Sequence, residues 1–331
     1  MDYDNIETLL PQEILEEEIL SRLAVKSLLR FRCVSKSWRS LIESDRFIKN
    51  HYRKSTMNTS LAHHRVIFNW RRFGETKQYS LQSMLDQERT HPYPFDEETD
   101  NKTITGDASV IGYCNGVFCL VNIFRRYFLW NPGTKTFFKL PKIPPTDLLP
   151  CLWLKRGFGW DETTCAYKVF ALSSDADLNN KRVARVYSSK MNSWAIVDHG
   201  TLFVHNGVGF YARGNLHWVT KSGDRIECFD LKSETFGEIE MPSGGRGDGL
   251  DSLRLGEVKG CLSMVRELEG GGLDVWVMKE HGVKESWQKL IHYNWRQQCL
   301  SLPCGEVLVI SGRNFFPVSG GVVKHKEVSG V

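Results

Sequence analysis

The chain has 331 residues, of which 41% are hydrophobic and 25% are charged, so it can bury one large core or a small core and a large one. No run of roughly eighteen or more apolar residues occurs, which argues against a membrane-spanning helix. The acidic start MDYDNIETLLPQEILEEE argues against a signal peptide, and the formal net charge of +4 is too small to predict a polyanionic partner. We therefore expect an intracellular protein, in the cytoplasm, the nucleus or both, whose nine cysteines are buried thiols rather than a disulfide framework.

Helical periodicity extends over about the first fifty residues. Pro11 suits a first helical turn, and Ser27 and Ser35 are predicted to cap a second and a third helix. The apolar positions at helical spacing are Ile14, Leu15, Ile19, Leu23, Leu28, Leu29, Phe31, Val34, Trp38, Leu41, Ile42, Phe47, Ile48 and Tyr52. Helices this short bury little among themselves, so the surplus of apolar residues predicts a partner that covers it.

A change of period divides the chain into two predicted domains. Residues 1–54 form a helical domain, and the polar residues 55–65 form a linker. Residues 66–331 consist of short alternating runs broken by Gly, Asn, Asp and Lys, which predict an all-β array.

The β region repeats one pattern, in which a second aromatic residue follows the first across a polar turn. The repeated segments are FLWNPGTKTFFKLP (128–141), RVYSSKMNSWAIVD (185–198), CFDLKSETFGEIEMP (228–242) and VWVMKEHGVKESWQKL (275–290). Their aromatic pairs are Trp130 and Phe137, Tyr187 and Trp194, Phe229 and Phe236, and Trp276 and Trp287. A second turn element, with Gly116, Gly214 or Gly260, precedes three of the segments. Two hairpins per unit, repeating at 57, 42 and 47 residues, predict a β-propeller, with a β-sandwich as the alternative.

Two segments resemble a known family. LLPQEILEEEILSRLAVKSLLRFRCVSKSWRSLIES (9–44) resembles the F-box, the helical module by which substrate receptors join SCF-type ubiquitin ligases. LWNPGTKTFFKLP, GFGWDETTCAYKV, GNLHWV and LDVWVMKEHGVKESWQKL resemble the F-box-associated, kelch-related region of the large plant F-box family. The resemblance implies an α+β multidomain chain, with a small N-terminal helical F-box followed by an all-β kelch-like β-propeller. Residues 312–331 lack the expected final strand pair, which predicts that the propeller is incomplete.

The resemblance also implies partners. A Skp-family adaptor of the plant ASK type would bind the F-box and join it to a cullin, and an unidentified target protein would bind the propeller. The residues implied at or near the adaptor interface are Leu10, Pro11, Ile14, Ile19, Leu28, Val34 and Trp38. Leu23 is expected in the core of the module, and the alternative is that all of these residues are core. The loops expected to contact a target are 91–106, 142–156, 173–182 and 243–252.

The stretch FRCVSKSWRSLI (31–42) mixes cations with apolar residues. In a nucleic-acid interface, cations line one face and contact phosphates. Here Arg30, Arg32, Lys36 and Arg39 alternate with residues that a helix places elsewhere, so they are expected to be a solvated rim that steers an acidic adaptor. We therefore predict no nucleic-acid partner and no membrane partner.

Signals of catalysis are weak. Asp175, Asp177 and Asn179 begin like a calcium loop but lack its glycine and its bidentate glutamate. Cys114 and Cys119 have no CxxC or HxxxH partner that would predict zinc, and Gly207 to Gly209 is no dinucleotide site. We expect no cofactor and no metal, and a receptor subunit rather than an enzyme. The alternatives are an F-box scaffold that acts outside the ligase and, less favoured, a propeller enzyme with an unrelated helical cap.

Overall fold

The computed structural model describes two kinds of region, helical at the N-terminus and strand-rich after it. The described residues are 14–23, 25–57, 65–70, 75–80, 108–122, 124–131, 134, 136–143, 152–175, 181–198, 207–220, 222–242, 253–258, 260–268, 273–293, 307–311 and 314–318. Among them, no helix has the length and apolar character needed to cross a membrane.

Five short elements are described in the helical region. A π-helical turn at Leu15–Ile19 and a 3-10 turn at Leu20–Arg22 precede helices α1 (Val25–Phe31), α2 (Lys36–Ile42) and α3 (Asp45–Met57). Ser35 caps α2 as predicted, because its Oγ accepts a hydrogen bond from the backbone N–H of Trp38 at 3.1 Å. Ser27 lies inside α1, so the prediction that it is a cap is wrong. The helical structure continues to Met57, and the predicted domain limits 1–54, 55–65 and 66–331 stay a prediction.

The strand region contains twenty-one described strands. They are β1 (Arg65–Trp70), β2 (Glu75–Ser80), β3 (Ser109–Cys114), β4 (Val117–Val121), β5 (Tyr127–Asn131), β6 (Thr136–Lys139), β7 (Leu152–Asp161), β8 (Ala166–Asp175), β9 (Lys181–Ser188), β10 (Ser193–Val197), β11 (Gly207–Val208), β12 (Phe210–Ala212), β13 (Asn215–Val219), β14 (Arg225–Asp230), β15 (Thr235–Glu240), β16 (Leu253–Val258), β17 (Cys261–Glu267), β18 (Leu273–Met278), β19 (Trp287–Tyr293), β20 (Val307–Ser311) and β21 (Asn314–Val318). Four blades of four strands follow one another in chain order, β3–β6, β7–β10, β12–β15 and β16–β19. The predicted β-propeller is confirmed, and it is incomplete, because the remaining pairs β1–β2 and β20–β21 form sheets of two strands.

One expectation about the C-terminus is wrong. Residues 312–331 were expected to lack a final strand pair, but β21 lies within them and pairs antiparallel with β20, with Val309 opposite Phe316. The segment NFFPV alternates too little to predict a strand, and its antiparallel pairing with β20 is a contact that the periodicity of one segment does not report.

The aromatic repeat marks neighbouring strands. Tyr187 lies opposite Trp194 and Phe229 opposite Phe236, with ring centroids 5.5 and 4.6 Å apart. The fourth repeat differs, because the register shifts after Val275 and Trp287 pairs with Met278 rather than with Trp276. A longer connection with a 3-10 turn at Lys284–Ser286 precedes that strand.

The second repeated element is a tight hairpin turn. Asn115 and Gly116 both have positive φ, 49° and 79°, and Arg213 and Gly214 have 49° and 77°. Two consecutive positive φ values are the geometry of a two-residue type I′ turn, whose twist matches that of the flanking strands.

The first strands of the four blades, β3, β7, β12 and β16, run in the same direction. Strand β11 pairs parallel with β7 and leads through Gly209 into β12, and the N–H of Gly209 donates to the carbonyl of Arg156 at 2.6 Å. The β12–β13 turn reaches the β16–β17 turn, where Arg213 Nε donates to Gly260 O at 2.7 Å. A Cβ on Gly112 of β3 would lie 2.8 Å from Phe158 Cβ of β7, so a glycine permits this close approach.

This common direction gives the propeller two distinct faces. On the turn face, where β3, β7, β12 and β16 end, each blade has two tight connections, of which the longest joins Met278 to Trp287. On the loop face, where these four strands begin, the longer connections join Lys139 to Leu152, Val197 to Gly207 and Glu240 to Leu253. Three apolar clusters pack between the blades along the array, centred on Phe158, Phe229 and Met264.

The four-residue turn after β7 stores backbone strain at a non-glycine residue. Cys165, at φ 52°, takes the left-handed conformation with an exposed side chain. We expect Cys165→Gly to raise the free energy of unfolding by about 0.5–1 kcal/mol, because glycine adopts this conformation without the Cβ clash. Urea denaturation measures the change. The control Thr163→Gly, in the same turn but without positive φ, is expected to lower stability, and equal effects of both changes would contradict this explanation.

Candidate functional site

The helical region has a very small core. Among the residues whose burial the structure describes, four apolar side chains form the buried cluster, namely Leu20, Leu28, Ile42 and Phe47. Leu15, Leu23, Phe31, Trp38 and Leu41 pack against them and are only partly buried. The expectation that Leu23 belongs to the core agrees with this packing.

Apolar side chains remain on the surface of the same region. Val34 is 62% exposed, Ile48 53%, Ile14 44% and Ile19 40%. Fully burying such a side chain stabilises by about 1.5–3 kcal/mol, so leaving four of them exposed on about forty residues favours a partner that covers them.

The predicted interface residues divide into three groups. Ile14, Ile19 and Val34 are exposed, as contact with another chain requires. Trp38 is half-buried, with its ring edge-on to Phe31 at 5.6 Å between centroids. Leu28 is 5% exposed and belongs to the core, so its burial supports the core alternative for this residue. Leu10 and Pro11 lie outside the described residues, and the interface role of the whole set stays a prediction.

One buried carboxylate is missed by the sequence analysis. Glu16 is 5% exposed and accepts from Arg46 at both oxygens, Oε1 from Nε at 3.2 Å and Oε2 from the guanidinium at 3.0 Å. Glu16 lies in the π-helical turn, and its partner Arg46 lies thirty residues further along the chain. A bidentate pair of this kind ties the first turn to α3.

Two of the four cations at residues 30–39 have an acidic neighbour. Arg32 and Arg39 both form ion pairs with Glu43, the latter at 3.2 Å from Nε. These pairs lower the pKa of Glu43, against the opposing effect of its desolvation. Cations already paired with carboxylates are less available for phosphates, which agrees with the solvated-rim interpretation.

Three of the four predicted target loops join strand ends on the loop face of the propeller. Residues 142–156 and 243–252 precede β7 and β16, and 173–182 join β8 to β9, so these three ranges connect strand ends on the loop face. Residues 91–106 precede β3. The predicted loops 142–156 and 173–182 include residues of strands, because residues 152–156, 173–175 and 181–182 are strand. Residues 91–106 and 243–252 lie outside the described residues.

Two buried polar pairs link neighbouring blades. Lys155 of β7 forms an ion pair with Glu227 of β14, and its Nζ lies 5.6 Å from the centre of the Trp218 ring. His217 Nε2 of β13 lies 2.8 Å from His281 Nε2, in the connection before β19. Both pairs lie in the seams between blades rather than in an open cleft. This position indicates that they hold neighbouring blades together.

The described residues offer few metal ligands. Among them, no group of three or more His, Cys, Asp or Glu could hold a metal ion. Six cysteines are described and all six are free thiols, of which Cys33 and Cys165 are exposed, contrary to the expectation of burial. Gly209, part of the rejected glycine motif, lies against Trp218, where a Cβ would come within 2.5 Å of the ring.

Comparison with known proteins identifies the family. The family described as F-box associated beta propeller domain matches residues 74–318, and the F-box domain matches residues 8–50. The chain belongs to the F-box proteins that carry an F-box-associated β-propeller. The F-box match spans all the exposed apolar residues described above, and the propeller match spans the four blades.

The F-box chain is also similar to curated plant proteins over most of its length. It is 33% identical to the F-box/kelch-repeat protein At3g23880 of Arabidopsis thaliana, over 85% of this chain and 79% of that protein. It is 27% identical to the F-box protein CPR1 of Arabidopsis thaliana, over 85% of this chain and 72% of that protein. Among solved structures, a chain of a nidogen/laminin complex is 11% identical with a TM-score of 0.39, covering 75% of this chain and 78% of that chain.

Proposed function

We propose that this F-box protein is the substrate-recognition subunit of an SCF-type ubiquitin ligase. Its F-box binds a Skp-family adaptor of the plant ASK type, which links it to a cullin, and its propeller binds a target protein. The observation that carries the proposal is the exposed apolar surface of Ile14, Ile19 and Val34, which lies within the segment that matches the F-box.

The protein acts in this proposal by proximity and carries no nucleophile of its own. An adaptor that covers the F-box surface removes it from water, while the propeller holds the target within reach of the conjugating enzyme. Tethering of this kind raises the effective concentration of the reacting groups without a new catalytic contact.

The proposal predicts that truncating exposed apolar side chains of the F-box weakens adaptor binding. Ile19→Ala with Val34→Ala is expected to lower the affinity for an ASK-type adaptor by at least about tenfold, because both changes remove apolar contact area. Isothermal titration calorimetry of the purified full chain with the adaptor measures it.

The matched control is Ile196→Ala, which truncates a 74% exposed isoleucine of the propeller and is expected to leave adaptor affinity unchanged. Unchanged adaptor affinity in the F-box variant would contradict the assignment of Ile19 and Val34 to the adaptor-binding surface. Adaptor binding without cullin co-purification would favour a scaffold that acts outside the ligase.

A further inference from the structure

The first blade contains no acidic residue. Between Asp107 and Asp147 the sequence has no Asp or Glu, although the whole chain has 39 of them. The same stretch has five cations, Arg125, Arg126, Lys135, Lys139 and Lys142. Strands β3–β6 are built from this stretch, so the side chains of the blade itself carry a net positive charge.

Four of these cations lie on neighbouring segments at one corner of the blade. Arg125 and Arg126 lie in the connection between β4 and β5, on the loop face. The N–H of Leu140, directly after β6, donates to the carbonyl of Tyr127 at 2.9 Å, so the end of β6 lies beside the start of β5. Lys139 and Lys142, both exposed, therefore lie near the two arginines.

Two aromatic side chains are exposed at the same corner. Phe124 is 74% exposed and Phe138 is 47% exposed. A rigid turn presents Phe124, because the N–H of Asn122 donates to Arg126 O at 3.1 Å and the N–H of Arg125 to Asn122 O at 3.0 Å. The side chain of Asn122 adds a third bond, accepting from the N–H of Arg126 at 2.9 Å. A preformed turn loses little conformational entropy when a partner binds.

We propose that this corner, defined by Phe124, Arg125, Arg126, Phe138, Lys139 and Lys142 and called the blade-one corner, docks an acidic segment of the target protein. The inference rests on the proposed function, since it assigns the target to the propeller. Carboxylates of the segment accept charge-assisted hydrogen bonds from the cations, and apolar residues between them cover the two rings.

The charge and size of the corner favour an acidic peptide over a nucleic acid. Strong binding to a nucleic acid typically takes about six to ten phosphate contacts along a track, and the corner provides four cations within one blade. The aromatic rings add apolar area that a protein segment with Leu or Phe beside Glu or Asp can fill.

The test uses the purified full chain and a peptide array. Each peptide of the first array has two varied central positions with a pair of glutamates on either side. The peptides of a second array have glutamine in place of every glutamate. The best glutamate peptide is then titrated by fluorescence polarisation, and we expect it to bind at least about tenfold more tightly than its glutamine counterpart. Raising the salt concentration from about 50 to about 300 mM is expected to weaken the binding of the glutamate peptide.

A matched pair of charge reversals locates the binding. Arg125→Glu with Arg126→Glu is expected to lower the peptide affinity at least about tenfold. Lys190→Glu with Lys232→Glu makes the same change in net charge at exposed positions of the turn face. This variant is expected to change the peptide affinity less than about twofold. If the arginine variant does not fold, Lys139→Glu with Lys142→Glu is used and the same loss is expected.

Several results would overturn the inference. They are equal binding of the glutamate and glutamine peptides, no binding of any glutamate peptide, equal losses in both reversals, and preferred binding of single-stranded RNA or phosphatidylserine vesicles at the corner. Adaptor binding is measured on the same preparations. Retained adaptor binding with no peptide binding would remove only this inference, whereas loss of adaptor binding by the intact chain would remove the proposed function.

Discussion

Replacing Glu227 by alanine is expected to destabilise the propeller by about 3–5 kcal/mol, because it leaves the Lys155 cation buried without this carboxylate. Lys155 is fully buried and Glu227 is 2% exposed, so water cannot take over the role of either partner. Burial lowers the pKa of Lys155 to about 8, so at pH 7 the amine is still mostly charged and needs a counter-ion. Urea denaturation followed by tryptophan fluorescence measures the loss.

A double replacement separates the ion pair from its packing. Lys155→Met with Glu227→Met removes both charges and keeps most of the apolar volume, so it is expected to cost less than either single change. The seam between the second and third blades would then be held by apolar contacts, including that of Trp218, whose ring now faces the amine. A double variant as unstable as the sum of the two single variants would contradict a coupled pair.

Local patterns predicted the repeated hairpins well. The pair Phe229 and Phe236 is visible as a spacing of seven residues, and the structure places the two rings opposite each other across a four-residue turn. The Ser35 cap follows from its position before a helical run, and the positive φ of Gly116 from its place between two strands. In each case the interacting residues are close along the chain, so periodicity and turn chemistry contain the information.

The polar pairs that join distant segments could not be predicted in this way. Glu16 and Arg46, Lys155 and Glu227, and His217 and His281 are each separated by thirty residues or more. A single lysine in an apolar strand gives no sign of its partner, because charge pairing in three dimensions leaves no period in one sequence.

The exposed surface of the F-box was predicted only in part. Helical spacing identifies Leu28 and Val34 equally as apolar, but Leu28 faces the core and Val34 lies after α1 with 62% of its surface exposed. The spacing alone does not distinguish a stripe that packs on its own module from one that packs on a partner. The absence of acidic residues from the first blade can be read from the sequence. That Arg125 and Lys139 lie at one corner cannot, because it follows from the hydrogen bond between Leu140 and Tyr127.

Lowering the pH from 6.5 to about 4.5 is expected to destabilise the propeller through the histidine pair. His217 is 1% exposed, and its Nδ1 lies 3.2 Å from the carbonyl of Phe210, so Nδ1–H donates there and Nε2 accepts from Nε2–H of His281. Burial, and then the neighbouring His281, lower the pKa of His217 to about 3. Burial and Arg213 also lower the pKa of His281, against the opposing effect of Asp230.

The sign of this effect follows from proton uptake. In the unfolded chain, histidine takes up a proton near pH 6.5, whereas in the folded chain His217 stays neutral down to about pH 3. The unfolded state therefore binds more protons within this window, and stability falls by up to about 1.4 kcal/mol for each unit of pH. From about pH 7.5 upwards both states are neutral and the pair makes no contribution to the pH dependence.

His217→Gln isolates this contribution. The variant keeps an acceptor for His281 but removes the titrating ring, so it is expected to be less stable at pH 7 by about 1–3 kcal/mol and to have a shallower slope of stability between pH 6.5 and 4.5. Ile239→Val, which truncates a buried residue of the same blade, is the control and is expected to keep the slope of the parent chain. Equal slopes of stability against pH in the parent chain and in His217→Gln would show that the folded chain accepts a proton at this seam. The assignment of a neutral His217 in the folded chain would then be wrong.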